Sequence, residues 1–230
     1  METTKKYELT SETIKFNDIT LHRIKALKDF SYVKAGDLGG WVEKEDNLSQ
    51  MGDAWVYENA KVYGDAKIHG DAEIYRNAKV FGNAKVYGNA EVFGDTEIYD
   101  NAVVCDNAKV YGRAKVYDNA AICGYAEVYD NAEVFGDAEI YDNAVVCDNA
   151  KVFGNAKVYG NAEVFGSSVV CDYAYVLGNA QVFGSSVVYG YANVRGDAKV
   201  YGKAKVYDNA VVCGDIKIFG NSRVCGDSYL

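Results

Sequence analysis

The chain has 230 residues, no proline and a formal net charge of −9 at neutral pH. Lysine and glutamate are interleaved along it, so no clustered basic surface for a phosphate backbone is predicted. No stretch approaches the length of an apolar membrane span, and no apolar run follows the first lysines. These properties argue against nucleic acid and membranes as partners, and they predict a cytoplasmic protein.

Residues 1–51 lack the repeat that fills the rest of the chain, and the segment IKFNDITL (14–21) has the pattern of a hairpin. Apolar and polar residues alternate on both sides of Asn17-Asp18, a pair that suits a tight two-residue turn. We therefore expect a small β-hairpin that covers the exposed strand edge of the first coil.

From Gly52 to Leu230 the chain consists of six-residue units without insertion or deletion. Position three is Ala in 24 of 30 units, and position five is Val or Ile in all 29 complete units. This alternation predicts short strands whose positions three and five face inward, while position four faces outward. Gly, Asn and Asp dominate positions one and two, and their tolerance of left-handed backbone angles predicts a corner there.

This pattern resembles the hexapeptide-repeat family over residues 52–230. The resemblance implies an all-β fold, a left-handed triangular parallel β-helix of about ten coils with 18 residues each. Residues 23–50 look like the leader of bacterial and prophage-borne proteins of this kind, some of which carry an acyltransferase label. We predict two parts: residues 1–51 form the hairpin cap and a degenerate first coil, and residues 52–230 form the helix.

The degenerate coil is predicted because Leu38, Val42 and Leu48 fall on inward positions when the repeat is extended backwards. Trp41 lies between Gly40 and Val42. We interpret it as an anchor for packing the cap rather than as a platform for a ligand.

Position six carries most of the large rings and every cysteine. It holds 13 Tyr, seven Phe and six Cys, and the other occupants are His69, Leu177 and Arg195. An interior filled by Ala and Val has no room for rings, so we expect outer columns in which each ring stacks on the residue 18 positions away. Only Cys105 and Cys123 are one coil apart, and no CxxC motif occurs. We therefore expect reduced thiols that replace rings, and no metal site.

Residues 91–119 recur almost unchanged as residues 133–161, displaced by 42 positions. That displacement is not a whole number of 18-residue coils, so the second copy lies on other faces of the helix. A catalytic arrangement fixed on one face would be scrambled by such a shift. The duplication therefore favours a scaffold role for most of the repeat.

Residues 166–177 recur as residues 184–195, displaced by one full coil, so the same face is presented twice. Position four, elsewhere mostly Lys or Glu, is uncharged in five consecutive units of this region. We predict an interaction surface here for a second copy of the chain or a protein partner. Its residues are Val169, Cys171, Tyr173, Tyr175, Val187, Tyr189, Tyr191, Asn193 and Arg195. Ser168 and Ser186 occupy inward positions, which makes them poor nucleophiles.

Two function classes remain open. The resemblance implies an acyl-CoA-dependent acyltransferase using acetyl-CoA, for which the candidate general base is His69, since His22 lies in the hairpin. The repeats contain no inserted loop to build a substrate pocket, and three histidines for a catalytic zinc are not present in the chain. We therefore favour a non-catalytic solenoid that needs no cofactor and acts as a scaffold or interaction module, with the acyltransferase as the alternative.

Overall fold

The computed structural model describes residues 5–230, which form a β-solenoid of stacked parallel coils. Successive strands of the repeat pass to three sheets in turn, which makes a three-sided prism. We call these sheets face 1, face 2 and face 3 in the order in which the chain visits them from Lys61 onward. The predicted all-β fold and 18-residue coil are confirmed, whereas the left hand of the winding stays an expectation from the resemblance.

The strands are short, and most of them contain two residues. Face 1 contains Tyr7–Phe16, Ile19–Ala26, Leu38–Val42, Lys61–Val62, Lys79–Val80, Glu97–Ile98, Lys115–Val116, Glu133–Val134, Lys151–Val152, Val169–Val170, Val187–Val188, Lys205–Val206 and Arg223–Val224. Face 2 contains Lys67–Ile68, Lys85–Val86, Val103–Val104, Ala121–Ile122, Glu139–Ile140, Lys157–Gly160, Tyr175–Gly178, Asn193–Val194 and Val211–Val212. Face 3 contains Trp55–Val56, Glu73–Arg76, Glu91–Gly94, Lys109–Val110, Glu127–Val128, Val145–Val146, Glu163–Val164, Gln181–Val182, Lys199–Val200 and Lys217–Ile218.

The core is a thin column of small aliphatic side chains from positions three and five. Val116, Val134 and Val152, for example, are fully buried and are register partners on consecutive coils of face 1. Burial of each such valine contributes about 1.5–3 kcal/mol relative to exposure. Because the same pattern recurs on every coil, each coil uses its neighbours to bury its inward side chains.

The corners between faces use left-handed backbone at position one. Asp118 has a φ of 57°, and its carboxylate accepts a hydrogen bond from the amide of Gly136 on the next coil at 3.1 Å. At Gly88, with a φ of 73°, an added Cβ would lie 2.8 Å from the amide nitrogen of Asp106. Each corner is therefore close to its neighbours along the axis, and little room is left for a side chain at Gly88.

The cap begins with the predicted hairpin. Tyr7–Phe16 and Ile19–Ala26 pair in antiparallel register, and Asn17 and Asp18 form the turn with φ values of 47° and 62°. The second hairpin strand pairs with Leu38–Val42, whose other edge pairs in parallel with Lys61–Val62. The hairpin therefore extends face 1 and covers its first parallel strand.

The first coil is longer than the sequence predicted, because two extra residues lie between Leu48 and the first regular strand. Val42 pairs with Val62, and Leu48 with Ile68, each across 20 residues instead of 18. Both side chains are buried as predicted, but they align with position five rather than position three. The prediction was wrong for Leu38, which this shift places opposite Lys25 with 52% of its surface exposed.

The tryptophans and one lysine close the capped end of the prism. Trp41 is buried against Leu21 and Tyr63, so its role as a packing anchor is confirmed. Trp55 departs from the rule that position four faces solvent, because the ring of Phe30 packs edge-on against it at 5.3 Å. The cap, residues 5–50, thus covers the position-four side chain of the first regular unit, whereas position-four side chains on later coils have no such cover.

Lys6 is the most unusual residue of the cap, since it is a lysine with only 1% of its surface exposed. Its Nζ atom donates hydrogen bonds to the carbonyl oxygens of Gly52 at 3.1 Å and Ala54 at 2.8 Å. Burial lowers the pKa of the amine from 10.5 to about 8, although Asp53 partly opposes the shift. The side chain satisfies two carbonyls at the start of the first regular unit.

Candidate functional site

Position six builds three outer columns along the prism, as the sequence predicted. Column 1 contains Tyr63, Phe81, Tyr99, Tyr117, Phe135, Phe153, Cys171, Tyr189, Tyr207 and Cys225. Column 2 contains His69, Tyr87, Cys105, Cys123, Tyr141, Tyr159, Leu177, Arg195 and Cys213. Column 3 contains Tyr57, Tyr75, Phe93, Tyr111, Tyr129, Cys147, Phe165, Phe183, Tyr201 and Phe219.

Most ring pairs in these columns stack face to face along the axis, whereas Tyr57–Tyr75 meets edge-on and Tyr141–Tyr159 is tilted. In column 1 the ring centroids of Tyr99 and Tyr117 are 4.9 Å apart with planes inclined by 3°, and Tyr117 stacks on Phe135 at 4.8 Å. Such contacts contribute about 0.5–1.5 kcal/mol beyond area burial. The columns therefore stabilise the coils and leave ring edges facing solvent.

Tyrosine hydroxyls in column 3 bond to glutamates of the next coil. The hydroxyl of Tyr75 donates to Glu91 at 3.0 Å, and that of Tyr111 donates to Glu127 at 2.9 Å. Burial, followed by the hydrogen bond to the carboxylate, raises the pKa of both hydroxyls. These groups stay protonated at neutral pH and tie the columns to the outer faces.

Two cysteines behave as the predicted ring substitutes. Cys147 is buried in column 3 and Cys171 in column 1. Burial raises the pKa of the Cys171 thiol to about 11 and also raises that of Cys147. Both groups are therefore protonated thiols at neutral pH, with little nucleophilic character.

The expectation of reduced thiols was wrong for Cys105 and Cys123, which form a disulfide with their Cα atoms 4.7 Å apart. Adjacent coils bring position-six side chains within bonding distance, so a Cys pair 18 residues apart needs no backbone movement to bridge. Asp106 lies beside the two sulfurs. Because the sulfurs are joined, neither offers a thiolate to a metal ion in this state.

His69 occupies the outer position that the sequence predicted. Its ring stacks on Tyr87 with centroids 4.9 Å apart and planes inclined by 6°, and the side chain is exposed. His22 lies on the hairpin, where its Nδ1 atom is 3.3 Å from the carbonyl oxygen of Thr10. The two histidines thus belong to different elements, and no described carboxylate makes a hydrogen bond to either ring.

The predicted interaction surface is assembled around the corner between faces 1 and 2. We call it the tyrosine-valine surface. It comprises Val169, Cys171, Tyr173, Tyr175, Val187, Tyr189, Tyr191, Asn193 and Arg195. Val169 and Val187 are register partners on face 1. At the corner the rings of Tyr173 and Tyr191 stack with centroids 5.0 Å apart, and 48% and 62% of their surfaces are exposed.

On face 2 the same surface pairs Tyr175 with Asn193. The Oδ1 atom of Asn193 is shielded from solvent and accepts no hydrogen bond from the described residues. Arg195 continues the surface and donates to the hydroxyl of Tyr229 at 3.4 Å. The structure therefore brings the predicted residues together, while their binding role stays a prediction.

Ser168 and Ser186 are fully buried, as their position predicted. The Oγ atom of Ser168 donates to the carbonyl oxygen of Phe165 at 2.9 Å, and that of Ser186 donates to Phe183 at 2.9 Å. Both hydroxyls therefore donate hydrogen bonds to backbone carbonyls at the preceding corner.

Sequence reasoning missed a second set of axial contacts, made by asparagines at position two. The amide of Asn83 donates to Asn101 at 3.1 Å, Asn101 donates to Asn119 at 3.0 Å, and Asn119 donates to Asp137 at 2.9 Å. The signal was the recurrence of Asn at intervals of 18 residues. Tyr173 and Tyr191 replace asparagine in the same row, so the tyrosine-valine surface lies where this row is interrupted.

The stacked three-sided coils define a parallel β-solenoid with a six-residue repeat. No protein-family model matches the chain. A segment of 62 residues is 36% identical to the uncharacterized acetyltransferase YdcK of Escherichia coli strain K12, covering 24% of this chain and 19% of YdcK. This match and the solenoid fit the resemblance to hexapeptide-repeat proteins. Within residues 5–230 no helix has the length and apolarity needed to cross a membrane.

Proposed function

We propose that the protein is a non-catalytic cytoplasmic scaffold that binds a second copy of itself or a protein partner through the tyrosine-valine surface. The observation that carries the proposal is the stacked pair Tyr173–Tyr191, which stands exposed at a corner next to Val169 and Val187. Tyrosine is among the side chains most enriched at the positions that contribute most to binding at protein interfaces.

The charge distribution supports this choice of surface. On the central coils, outward position-four residues form ion pairs between neighbouring coils, such as Lys79–Glu97 at 2.9 Å and Lys151–Glu133 at 3.0 Å. Such paired charges keep a face hydrated. Val169 and Val187 replace them on face 1 of the tyrosine-valine surface, which lowers the cost of removing water there.

Asn193 adds a second supporting feature. A shielded carbonyl oxygen without a donor costs about 1–3 kcal/mol, and Asn193 Oδ1 is in this position. A rotation of the Asn193 amide that brings this oxygen to a donor of a bound partner would recover part of that free energy. No cofactor is required in this proposal.

The test is the double substitution Val187→Lys with Tyr191→Asp, measured by light scattering and by affinity capture with the wild-type chain as bait. We expect a lower oligomer mass, or loss of a captured partner, with unchanged circular dichroism. Lys85→Glu on face 2 provides a control that changes charge away from the surface. Wild-type mass and wild-type capture in the double variant would disprove this role.

An acyl-CoA-dependent acyltransferase is the second candidate, favoured by the name of the E. coli relative. Its candidate base is His69, which is exposed and stacked on Tyr87. Acetyl-CoA would then raise the melting temperature of the wild type and not of His69→Ala, since a ligand stabilises the state that it binds. No thermal shift in the wild type would speak against this candidate.

A further inference from the structure

A second surface lies apart from the tyrosine-valine surface, at the corner between faces 3 and 1 near the C-terminal coils. Lys199 and Lys217 are register partners on face 3, and Lys205 and Arg223 are register partners on face 1. Lys203 is exposed at the corner between them. We call these five residues the basic corner.

Like charges on directly paired strands repel each other. Two other like-charge pairs of the described chain have internal partners for both members, while in the pair Lys67–Lys85 only Lys67 has one, Asp46 at 3.6 Å. The amines of Lys61 and Lys79 both lie over the ring of Phe16, at 5.3 and 5.7 Å. The carboxylates of the paired residues Glu73 and Glu91 accept hydrogen bonds from Tyr57 and Tyr75.

The basic corner has no such compensation. None of its five residues belongs to any of the ten ion pairs found within residues 5–230. Residues 193–230 contain six basic and four acidic side chains, whereas residues 51–192 contain 10 basic and 20 acidic ones. The chain is therefore electrically polar along its axis, with the excess of acid on the central coils.

Most of the acidic side chains that remain unpaired lie at the corners, because the position-four carboxylates on the faces are largely paired. At the corner between faces 1 and 2, Asp100, Asp118 and Asp137 line a groove of about 540 Å³ together with asparagines and glycines. No basic side chain lines this groove. We call these three aspartates the acidic corner.

We propose that the basic corner of one copy binds the acidic corner of a second copy. Adjacent coils are about 4.8 Å apart, so cations and carboxylates on two solenoids repeat with the same spacing. An extended peptide spaces same-side groups by about 6.6 Å, and a duplex nucleic-acid strand spaces phosphates by about 3.4 Å. A second solenoid of the same coil height is therefore the partner that fits both rows in register.

The two corners lie on different edges of the prism and several coils apart, so the contact is heterologous. A heterologous contact leaves one free basic corner and one free acidic corner on every dimer, and it permits growth into longer assemblies. It uses neither Val187 nor Tyr191, and it therefore stands independently of the scaffold role proposed above.

The test measures self-association by analytical ultracentrifugation at about 50 mM and about 500 mM NaCl, because exposed charges are screened at high salt. We expect the wild-type association constant to fall at least about tenfold at the higher salt. The basic-corner variant carries Lys203→Glu, Lys205→Glu and Arg223→Glu. The acidic-corner variant carries Asp100→Asn, Asp118→Asn and Asp137→Asn, which keep an oxygen acceptor and tolerate the corner conformation.

Each variant alone is expected to lose the salt-dependent association, whereas their mixture regains it as a 1:1 contact that grows no further through the two corners. The control Lys15→Glu, Lys28→Glu and Lys34→Glu changes the net charge as much as the basic-corner variant and is expected to associate like the wild type. Val187→Lys with Tyr191→Asp should also retain the salt-dependent association. A wild type without salt-dependent association, or a mixture without a complex, would overturn the proposal. Binding of a single-stranded oligonucleotide to the basic corner without self-association would do so as well.

Discussion

Cys105 and Cys123 occupy the same position on adjacent coils of face 2 and are joined by a disulfide, with 4.7 Å between their Cα atoms. The bond links two neighbouring turns of one continuous stack. The disulfide therefore prevents these two coils from separating unless it is reduced.

The first prediction concerns thiol content. Under non-reducing denaturing conditions, maleimide labelling should add four groups per chain, because Cys147, Cys171, Cys213 and Cys225 are free. After reduction it should add six, the full number of cysteines. The measurement is intact mass. Six labels without reductant would show that the pair is not bonded.

Reduction should also lower stability locally. A crosslink that closes a loop of this size contributes about 3 kcal/mol in the chain-entropy account. We expect Cys105→Ser with Cys123→Ser to unfold at a lower urea concentration than the wild type. Cys147→Ser with Cys171→Ser is a poor control because both thiols are buried, so Cys213→Ser with Cys225→Ser is the matched pair.

The second prediction addresses the aliphatic core. Val134 is fully buried between its register partners Val116 and Val152, so Val134→Asp places an unpaired carboxylate in the axis. We expect a loss of at least about 3 kcal/mol, because burial of a charge adds to the loss of apolar contact. Hydrogen exchange should become fast on the adjoining coils.

The matched control is Glu133→Gln on the same strand, whose side chain faces outward and is paired with Lys151 at 3.0 Å. An exposed ion pair contributes about 0–1 kcal/mol, so exchange should change little. Protection on the adjoining coils that survived in Val134→Asp would contradict the inward assignment of position five.

The third prediction is a pH dependence carried by Lys6. Its pKa is lowered from 10.5 to about 8, mainly by burial. Between these values the unfolded chain binds more protons at this residue than the folded chain does. Stability from this group therefore rises as pH increases from about 8 towards 10.5, and it is lowest below pH 8.

The measurement compares thermal unfolding of the wild type and Lys6→Met at pH 7, 8, 9 and 10. The burial-raised pKa of Cys171 has the opposite effect on stability, but it is the same in both proteins and cancels in their difference. As pH rises from 7 to 10, the melting temperature of the wild type should increase relative to that of Lys6→Met. Lys5→Met is the control, because Lys5 is exposed beside Glu45. A constant difference from pH 7 to pH 10 would mean that the amine is not buried.

The sequence predicted the periodic part of the structure because each inward valine, such as Val134, is specified by a local pattern that repeats without interruption. It failed at Leu38, since two extra residues after Leu48 shift the register where no repeat reveals them. Lys6 could not be predicted either, because its burial depends on a long-range contact with the carbonyls of Gly52 and Ala54.

The tyrosine-valine surface was found by an interruption of the pattern, and the structure placed its residues together. The disulfide was missed for a different reason. Spacing predicted that Cys105 and Cys123 are adjacent, but adjacency alone does not determine oxidation state. The basic corner was not predicted from the sequence either. Opposite charges on the central coils pair with residues 18 positions away, and only the observed strand pairing shows that the residues around Lys203 lack such partners.

The fourth prediction tests the asparagine row. Asn101 accepts from Asn83 at 3.1 Å and donates to Asn119 at 3.0 Å, so Asn101→Ala removes two hydrogen bonds between coils. We expect a loss of about 1 kcal/mol, because exposed side-chain bonds have small net contributions. Asn155 is the matched control in the same row, since its successor is Tyr173 and its side chain makes no hydrogen bond to another described corner residue. Asn155→Ala should cost less than about 0.5 kcal/mol in urea unfolding. Equal losses in the two variants would mean that the corner conformation of asparagine, rather than the axial bonds, stabilises the stack.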